Sequence, residues 1–434
     1  MEAEGGKSDS RPVVPSADAR DPAYFQYYAQ FVHQQNMLQD TVRTSAYNAA
    51  IVGNGPTMFK DKLVMDIGAG SGILSYFACQ AGAQKVYAVE ASDMSKKIQK
   101  LVDNASRRNP WLKDRIEVVA DKIENCNLAK VDTLISEPIG VLLVHERMIE
   151  SYLVARDRFL KPGGAMIPSN GNIYLAPFTD ANLWTQTMAK VRFWEQSNFY
   201  GVDFSPLAQD ARDEVFGQPV VGCFDSRILL AQPVSHFVDF MTITIAELQN
   251  IVIPFTWKVP FTALIHGIAG WFDINLGGMI LNTGPYAERT HWQQVRFLLK
   301  EPLAVNAFET VKGWMRLTVN MSRSYDIVAE IVTGDETPTS DPADITAEGA
   351  GDERATPVGY GKRRGAWALH EQTYVYGADL DYSKVRPEFL AMYTPENAAP
   401  PEINMDIGMG IGGIPGLVDM DLTAADLDAL VGRS

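Results

Sequence analysis

The spacing of apolar residues changes along the chain, and each change predicts a different kind of structure. Between residues 24 and 52, apolar and aromatic side chains recur at helical intervals, which predicts two helices or one bent helix. From Lys62 onward, short apolar runs such as LVMDIG and KVYAVE alternate with helix-length segments, a pattern typical of a parallel sheet with crossover helices. Beyond about Pro168, strand-like runs follow one another without long crossover helices, which predicts a mostly antiparallel sheet or barrel.

These patterns predict an α/β fold in four parts. We expect an unstructured amino terminus, a parallel-sheet domain with lid helices, a β-barrel-like domain and an acidic, largely unstructured tail, at residues 1–23, 24–168, 169–330 and 331–434. Residues 180–215 are helical in pattern and rich in aromatic side chains, which predicts a projecting arm. In the tail, the spacing of Thr423 and Asp426 predicts a short helix at 423–431, and a solvated, unstructured end is the alternative.

Composition and charge narrow the class of protein. Of the 434 residues, 46% are hydrophobic, enough for a large core, and no apolar run reaches the roughly 18 residues that cross a membrane. The polar first twenty residues do not resemble a signal peptide, and Cys79, Cys126 and Cys223 lack metal-binding spacing. We therefore expect a soluble protein of a reducing compartment. The net charge of −15 lies mainly in residues 331–434, with 18 acidic against 7 basic side chains, so basic protein segments are favoured over nucleic acid as partners.

A glycine-rich loop follows the first predicted strand. The segment VMDIGAGSGIL places Gly68, Gly70 and Gly72 between a strand and a helix, where backbone amides can approach a ligand closely. The third glycine comes two residues after the second rather than three, and Asp66 precedes the first, which favours a methyl-donor site over a nicotinamide dinucleotide site. Glu90 ends the next predicted strand, where a carboxylate can accept both ribose hydroxyls. The sequence therefore predicts a nucleoside site here.

Two glutamates flank an apolar loop after the fourth predicted strand. In SEPIGVLLVHERM, Glu137 and Glu146 are nine residues apart around a loop that contains proline and glycine and is otherwise apolar. Acids at this spacing are usually surface residues, but a loop that excludes water makes two carboxylates costly unless a cation joins them. A guanidinium suits this role because it is planar, permanently charged and pairs bidentately with carboxylates. The loop therefore predicts an arginine-binding site.

With these motifs, the chain resembles the protein arginine N-methyltransferase family, most closely its type I, coactivator-associated branch, over roughly residues 24–330. The matching motifs are YFQYY, QNMLQDTVRT, VMDIGAGSGIL, YAVEAS, SEPIGVLLVHERM and THW. The resemblance implies a Rossmann-like methyltransferase domain followed by a mostly antiparallel β-barrel-like domain with a helical dimerisation arm. It also implies S-adenosyl-L-methionine as the methyl donor, S-adenosyl-L-homocysteine as the product, and no metal.

The glycine loop and the resemblance together assign roles to individual residues. At the target arginine we expect a clamp of Glu137 and Glu146, a dyad of His291 and Asp40, and a channel lined by Met148 and Trp292. At or over the methyl donor we expect Tyr24, Phe25, Tyr28, Gln34, Met37, Arg43, Asp66, Gly68, Gly70, Gly72, Glu90, Lys122, Glu124 and Ser151. Because Met37 stands where symmetric-dimethylating relatives have phenylalanine, the resemblance implies asymmetric dimethylarginine as the final product.

The resemblance also implies partners. These are arginine-containing protein substrates such as histones and RNA-binding or transcription-associated proteins, and a second copy of the chain, in the nucleus and cytoplasm, without direct nucleic-acid or membrane binding. Ala69 and Val141 depart from the residues usual in the family. Only 23 residues precede Tyr24, so we expect the amino-terminal domain of the coactivator-associated branch to be absent. Two other hypotheses stay open, a catalytically weak scaffold acting through its tail and a nicotinamide-dependent oxidoreductase.

Overall fold

Within the described part of the chain, three α-helices and a short π-helical turn at Gly55–Phe59 precede the first strand, where the apolar spacing predicts two helices or one bent helix. The computed structural model describes residues 21–105, 109–334, 336–338 and 361–374, and places these helices at Asp21–Tyr28 (α1), Phe31–Gln39 (α2) and Thr41–Gly53 (α3). The helical path breaks at Gln30 and Asp40, and Asp40 caps α3 by accepting a hydrogen bond from the Arg43 amide. An aspartate favours a helix start in this way. Helix α1 also begins within the segment predicted to lack structure, because Asp21 is anchored by ion pairs to Lys122 and Arg323.

A parallel sheet forms the first half of the fold, in the order β3-β2-β1-β4-β5. Its strands are Leu63–Ile67 (β1), Lys85–Val89 (β2), Ile116–Val119 (β3), Val131–Ser136 (β4) and Leu160–Ile167 (β5). The helices that follow β1, β2 and β4 are Ile73–Gln80 (α4), Met94–Asp103 (α5) and Met148–Phe159 (α6). Ile67 lies opposite both Val89 and Ser136, so the residues that come next, Gly68, Glu90 and Glu137, emerge side by side. The strand order reverses at β1, where sheets of this kind bind ligands.

The second half of the fold is mostly antiparallel, as the sequence predicts. One sheet has the order β16-β7-β12-β10-β6-β8 with β11 paired to β10, and the other has the order β15-β14-β13-β9. The strands are Asn170–Phe178 (β6), Val220–Val221 (β7), Val234–Asp239 (β8), Asn250–Lys258 (β9), Ala263–Leu276 (β10), Met279–Asn282 (β11), Val295–Val305 (β12), Thr310–Val319 (β13), Tyr325–Thr333 (β14), Lys362–Ala368 (β15) and Thr373–Tyr374 (β16). The α/β fold class is confirmed.

Among the residues described in this half, α-helices occur at Ala181–Arg192 (α7), Ala208–Phe216 (α8) and Ile245–Gln249 (α9). Between α7 and α8, Phe193 and Phe199 stack edge-on with ring centroids 5.5 Å apart, and the neighbouring Tyr200 is 93% exposed. Trp184 is different, because its indole donates to the Leu299 carbonyl at 3.0 Å and it packs within its own chain. Within residues 180–215, the exposed aromatic side chains therefore lie between α7 and α8, at Phe193 and Tyr200.

The prediction of a largely unstructured tail is wrong for residues 361–374. Strand β15 pairs with β14, and the buried Trp367 donates its indole N–H to a carbonyl of β12 at 3.1 Å. Lys362 and Arg364 of β15 pair with Glu330, a fully buried carboxylate on β14, at 3.0 and 2.7 Å. The prediction failed because it rested on the acidic composition of residues 331–434 as a whole, whereas residues 362–367 are basic and aromatic. The helix predicted at 423–431 lies outside the described residues. Within the described ranges, no helix is long and apolar enough to cross a membrane.

Candidate active site

A cavity of about 1070 Å³ lies at the carboxyl edge of the parallel sheet, beneath α1 and α2. Its lining contains Tyr24, Phe25, Tyr28, Gln34, Met37, Arg43, Gly68, Gly70, Glu90, Lys122, Glu124, Glu137, Glu146, Met148, Ser151, His291 and Trp292, all of which the sequence singled out. Three predicted site residues, Asp40, Asp66 and Gly72, lie outside the lining. The volume is at the upper end of the range for sites that hold small molecules.

The glycine loop is held against Glu90. Gly68 and Gly70 have φ of 69° and 55°, a region that disfavours residues with a side chain. A Cβ on Gly70 would come within 2.9 Å of Gln34 Oε1. The amides of Gly70 and Ser92 each donate to one oxygen of Glu90 at 2.7 Å. Because a carboxylate offers about four lone-pair sites, Glu90 can still accept hydroxyl groups of a ligand.

Asp66 and Gly72 support this loop from behind. Asp66 is fully buried and accepts a hydrogen bond of 2.7 Å from the hydroxyl of Ser75 in α4. Burial raises the pKa of Asp66 to about 7. Gly72 has a φ of 82° at the start of α4, and a Cβ there would come within 2.9 Å of the Tyr76 hydroxyl. The structure places both residues behind the loop rather than in the cavity wall.

The loop between the two glutamates folds back on itself. Gly140 and Leu143 form an isolated antiparallel bridge, and a Cβ on Gly140 would come within 2.2 Å of the His145 carbonyl oxygen. Residues 141–144 are apolar and buried. Positive φ angles occur at Leu142, Leu143, Glu146 and Arg147. Such angles are costly for residues with side chains and persist only where the surroundings enforce them.

Glu137 faces a cation of its own chain. The Nε and Nη2 groups of Arg43 donate to Glu137 Oε2 at 3.2 and 2.7 Å, and the Ile139 amide donates to Oε1 at 3.2 Å. Only 8% of the Arg43 side chain and 10% of the Glu137 side chain are exposed. Burial opposes the charge of Arg43, but the neighbouring Glu137 outweighs it and the pKa of Arg43 is raised. The charge of Glu137 is thus compensated within the chain.

Glu146 faces hydroxyl groups of the lid helix. Tyr28 of α1 donates to both carboxylate oxygens at 2.8 Å, and Tyr24 donates to Oε2 at 3.1 Å. Burial raises the pKa of Glu146 to about 6, against the hydrogen bonds of the two tyrosines, and the charge of Glu137 adds to the rise. Neutral donors stabilise a carboxylate less than a guanidinium does. Glu146 is therefore suited to take a cation from a ligand.

His291 and Asp40 form a pair at the rim. His291 Nδ1 lies 2.7 Å from Asp40 Oδ2, which also accepts the His291 amide at 2.8 Å. Burial raises the pKa of Asp40, but the hydrogen bonds from His291 and the Arg43 amide outweigh it, and the pKa is lowered. The neighbouring Trp292 donates its indole N–H to the Ile139 carbonyl at 3.0 Å and so fixes the glutamate loop. Asp40 thus orients His291 without reaching the cavity itself.

Four further predicted residues also line the cavity, namely Lys122, Glu124, Met148 and Ser151. Ser151 donates to Glu124 at 2.7 Å, Lys122 pairs with Asp21, and the methyl group of Met148 packs against Gly68. Among the described residues, no group of three or more His, Cys, Asp or Glu is placed to hold a metal ion, and the three cysteines are free thiols.

Sequence reasoning missed the turn between β13 and β14, residues 320–324. The Arg323 guanidinium lies 4.3 Å from the ring centroid of Tyr24 and pairs with Asp21. The Ser324 hydroxyl lies 2.8 Å from His145 Nδ1. These partners are 302 and 179 residues apart in the chain, so no local spacing could have linked them.

Comparisons with known proteins agree with this geometry. Residues 169–331 match the arginine methyltransferase oligomerization subdomain, and residues 56–170 match the ribosomal protein L11 methyltransferase (PrmA) family. A probable histone-arginine methyltransferase CARM1 of Oryza sativa subsp. indica is 46% identical over 328 residues. The match covers 74% of this chain and 61% of the rice protein, so the chain spans about three fifths of that relative's length.

Two solved structures share the fold. The Trypanosoma brucei PRMT1 enzyme-prozyme heterotetrameric complex with AdoHcy has a TM-score of 0.64 at 27% identity, over 79% of this chain and 99% of that one. Arabidopsis thaliana protein arginine methyltransferase 10, in an open conformation, also has a TM-score of 0.64. It is 30% identical, over 71% of this chain and 95% of its own. Because this relative is 30% identical and is matched over 95% of its length, the chain belongs to the protein arginine methyltransferase family.

Proposed function

We propose that this protein transfers methyl groups from S-adenosyl-L-methionine to arginine side chains of other proteins. The main support for this proposal is that one cavity contains two carboxylates with different partners. Glu137 is already paired with Arg43, whereas Glu146 is bonded to tyrosine hydroxyls that a guanidinium can replace or join. A guanidinium matches a carboxylate in shape and charge. A nicotinamide-dependent oxidoreductase has no use for such a clamp.

The residues at the glycine loop suit a nucleoside with an amino-acid tail. The Cβ-free backbone at Gly68 and Gly70 permits close approach, and Glu90 can accept ribose hydroxyls. Glu124 with Ser151 would meet the base, and Arg43 the tail carboxylate. Bound there, S-adenosylmethionine supplies an electrophilic methyl group on a positively charged sulfur. The Trypanosoma structure named above is a complex with AdoHcy, which supports this donor.

The chain's own residues then orient and polarise the target. Arginine keeps its proton because its solution pKa is above about 12. Glu137 and Glu146 hold the positive charge on one side of the guanidinium, which leaves one terminal nitrogen more nucleophilic and aimed at the donor. Tyr24 and Tyr28 cover the cavity and exclude water. His291 is fixed by Asp40 at the rim of the cavity. Its ring accepts the proton that the target nitrogen loses when it is methylated.

Radiolabelled methyl donor tests this function directly. We expect the full chain to label histones and arginine-rich peptides, and the same chain with Glu146→Gln to label them weakly. An intact donor affinity without any transfer by the unmodified chain would favour the scaffold hypothesis instead. The name of the rice relative supports histones as substrates and action in the nucleus. RNA-binding or transcription-associated substrates, and action in the cytoplasm, stay predictions.

We further propose that the enzyme is of type I, which makes asymmetric dimethylarginine, and that different regions of the chain hold the donor and the target. Met37 and Met148 both line the cavity, and flexible methionines leave room for a second methyl group on the same nitrogen. We expect exhaustive reaction to give asymmetric dimethylarginine, and mass spectrometry that finds only monomethyl or symmetric product would contradict this. Residues 24–168 would hold the donor, and residues 169–330 would complete the channel for the target.

A homodimer is the proposed assembly. The match to an oligomerization subdomain supports it, as do the exposed apolar residues of the arm, Phe193, Tyr200, Val202 and Leu207. Light scattering of the purified chain at micromolar concentration should give twice the monomer mass. A monomer with full activity would contradict the proposal, whereas a requirement for a second, different chain would point to an assembly like that of the Trypanosoma complex.

A further inference from the structure

We propose that Arg323 is a positioning residue that holds the lid helix α1 closed over the cavity and, through that helix, keeps Glu146 in place. The consequence for catalysis rests on the proposed function, whereas the anchoring of α1 does not. Arg323 lies in the turn between β13 and β14, in the antiparallel half of the fold, and 15% of its side chain is exposed. Its φ of 51° is unusual for a residue with a side chain, so the turn holds it in an enforced conformation.

Arg323 contacts α1 in two ways. Its guanidinium pairs with Asp21, at the start of the helix, and lies 4.3 Å from the ring centroid of Tyr24. A guanidinium over an aromatic ring is attractive, more so where water is excluded. Arg323 Nη2 is also 3.9 Å from the sulfur of Met148, so the same side chain contacts the cavity wall. One residue of the second half of the fold thus bridges the lid helix and the cavity.

Helix α1 needs such an anchor because it is short. It has eight residues, and isolated helices below about 12 to 15 residues are marginal in water. Asp21, Tyr24 and Tyr28 are at helical spacing on one face of α1, and this face is attached to Glu146 through the hydroxyls of Tyr24 and Tyr28. Tyr24 therefore lies between Arg323 and Glu146, and a loss of Arg323 removes support from the hydrogen bonds that fix the carboxylate.

The same turn braces the glutamate loop from the other side. The Ser324 hydroxyl lies 2.8 Å from Nδ1 of His145, and the Asn320 carbonyl accepts a hydrogen bond of 3.2 Å from Arg147. His145 and Arg147 flank Glu146 in the sequence. The turn at 320–324 is thus a common support for the lid helix and for the loop that carries Glu146. Because the loop has contacts of its own, loss of Arg323 should release α1 while leaving the loop folded.

Hydrogen exchange in the full chain without any ligand tests the anchoring by itself. Arg323→Met removes the guanidinium, and Lys312→Met, at an exposed position on β13, removes one positive charge without touching the lid. We expect amides of residues 21–28 to exchange about tenfold faster in Arg323→Met, with β1 amides unchanged and Lys312→Met like the unmodified chain. Unchanged exchange at 21–28 in Arg323→Met would overturn the proposal. Arg323→Lys, which keeps the charge beside Asp21 but lacks the flat face over Tyr24, should lie between the two.

Kinetics and binding at the donor site test whether the anchoring of α1 by Arg323 affects catalysis. We expect Arg323→Met to raise the KM for S-adenosylmethionine and the Kd for S-adenosylhomocysteine about tenfold, with partial recovery in Arg323→Lys and none of these changes in Lys312→Met. Donor constants that stay unchanged in Arg323→Met would overturn the closure of α1 over the donor, and a kcat that also stays unchanged would overturn the positioning of Glu146. If Arg323→Met fails to fold, Arg323→Lys carries the test, and values equal to the unmodified chain would then overturn it. Failure of the unmodified chain to bind S-adenosylhomocysteine would instead overturn the proposed function, and the exchange result would still stand.

Discussion

The two glutamates of the proposed clamp are nine residues apart in the sequence but lie in different surroundings. Glu137 follows a central strand of the sheet and is paired with Arg43, a buried cation on α3. Glu146 has a φ of 71° in a loop and is bonded to hydroxyls of a short lid helix. Burial raises its pKa to about 6. Glu137 thus has a charged partner within the chain, whereas Glu146 is held by neutral hydroxyl groups of a short helix.

This difference indicates unequal roles. A carboxylate already paired with an arginine can fix the geometry of the site, but part of its charge is used within the chain. A carboxylate with a raised pKa gains more from an incoming guanidinium, because the cation restores the stabilisation that burial removed. We infer that Glu137 organises the site together with Arg43 and that Glu146 contributes most of the charge that the target arginine meets.

Glu146→Gln should have the largest effect of the changes considered. We expect turnover to fall by at least about 100-fold, because the charge facing the guanidinium is lost, while donor affinity changes little. Glu288→Gln, at an exposed position near His291, is the matched control. Retention of more than about a tenth of the activity by Glu146→Gln would remove the proposed clamp.

Stability gives an independent measure of the same substitution. Because the folded-state pKa of Glu146 is raised, the folded protein holds its proton more tightly, and this contribution to stability is lost as pH rises through about 6. At pH 7.5 the ionised carboxylate therefore opposes folding, and Glu146→Gln should leave the Tm unchanged or raise it. A marked fall in Tm would show that Glu146 is needed for the fold as well.

Glu137→Gln should also lower turnover by about 100-fold, but with a different profile. Loss of this carboxylate leaves the buried Arg43 without its partner, which is costly. We therefore expect a lower Tm and a several-fold weaker donor affinity, neither of which should accompany Glu146→Gln. Thermal unfolding and S-adenosylhomocysteine titration of the two variants side by side would measure the contrast. The same change in Tm and in donor affinity for both variants would mean that the different surroundings of Glu137 and Glu146 do not give them different roles.

Asp40→Asn should have a smaller effect. Asparagine caps a helix about as well as aspartate, so α3 should keep its start while His291 loses the charge beside its ring. We expect kcat to fall by about tenfold, since proton acceptance is a secondary part of the mechanism. Steady-state kinetics at saturating substrates, with Tm as the control, test this. A fall in kcat as large as that of Glu146→Gln would mean that Asp40 and His291 contribute as much to turnover as the two glutamates.

The sequence predicted much of the lining of the cavity because the groups in it come from local motifs at neighbouring strand ends. Gly68, Glu90 and Glu137 follow three adjacent parallel strands, and alternating patterns suffice to place such residues together. Asp66 marks the limit of that reasoning, because its position beside the glycines suggested ligand contact, whereas its carboxylate is bonded to Ser75 behind the loop.

Contacts between distant segments could not be predicted. Arg323 reaches Asp21 across 302 residues, and its approach depends on the pairing of β13 with β14 rather than on any spacing. The strand at residues 362–368 was missed for a similar reason, since Glu330, which holds it, lies in a different segment of the chain. The composition of a segment does not show which other segment it will pack against, and that contact decides whether the segment is buried.

Tyr28→Phe should have the smallest effect on rate, and it addresses the Glu146 side of the comparison most directly. Burial raises the pKa of Glu146, and the Tyr28 hydroxyl, which donates to both of its oxygens, lowers it, so that the pKa is about 6 with both effects present. Its removal should raise that pKa further, so the acid limb of kcat/KM should move to higher pH, with only a few-fold loss of activity well above the limb. Tyr27→Phe removes the hydroxyl of an exposed neighbour and should leave the limb in place. If Tyr28→Phe lowers activity equally at every pH, the acid limb does not report Glu146, and the contrast between the two carboxylates would have to rest on geometry alone.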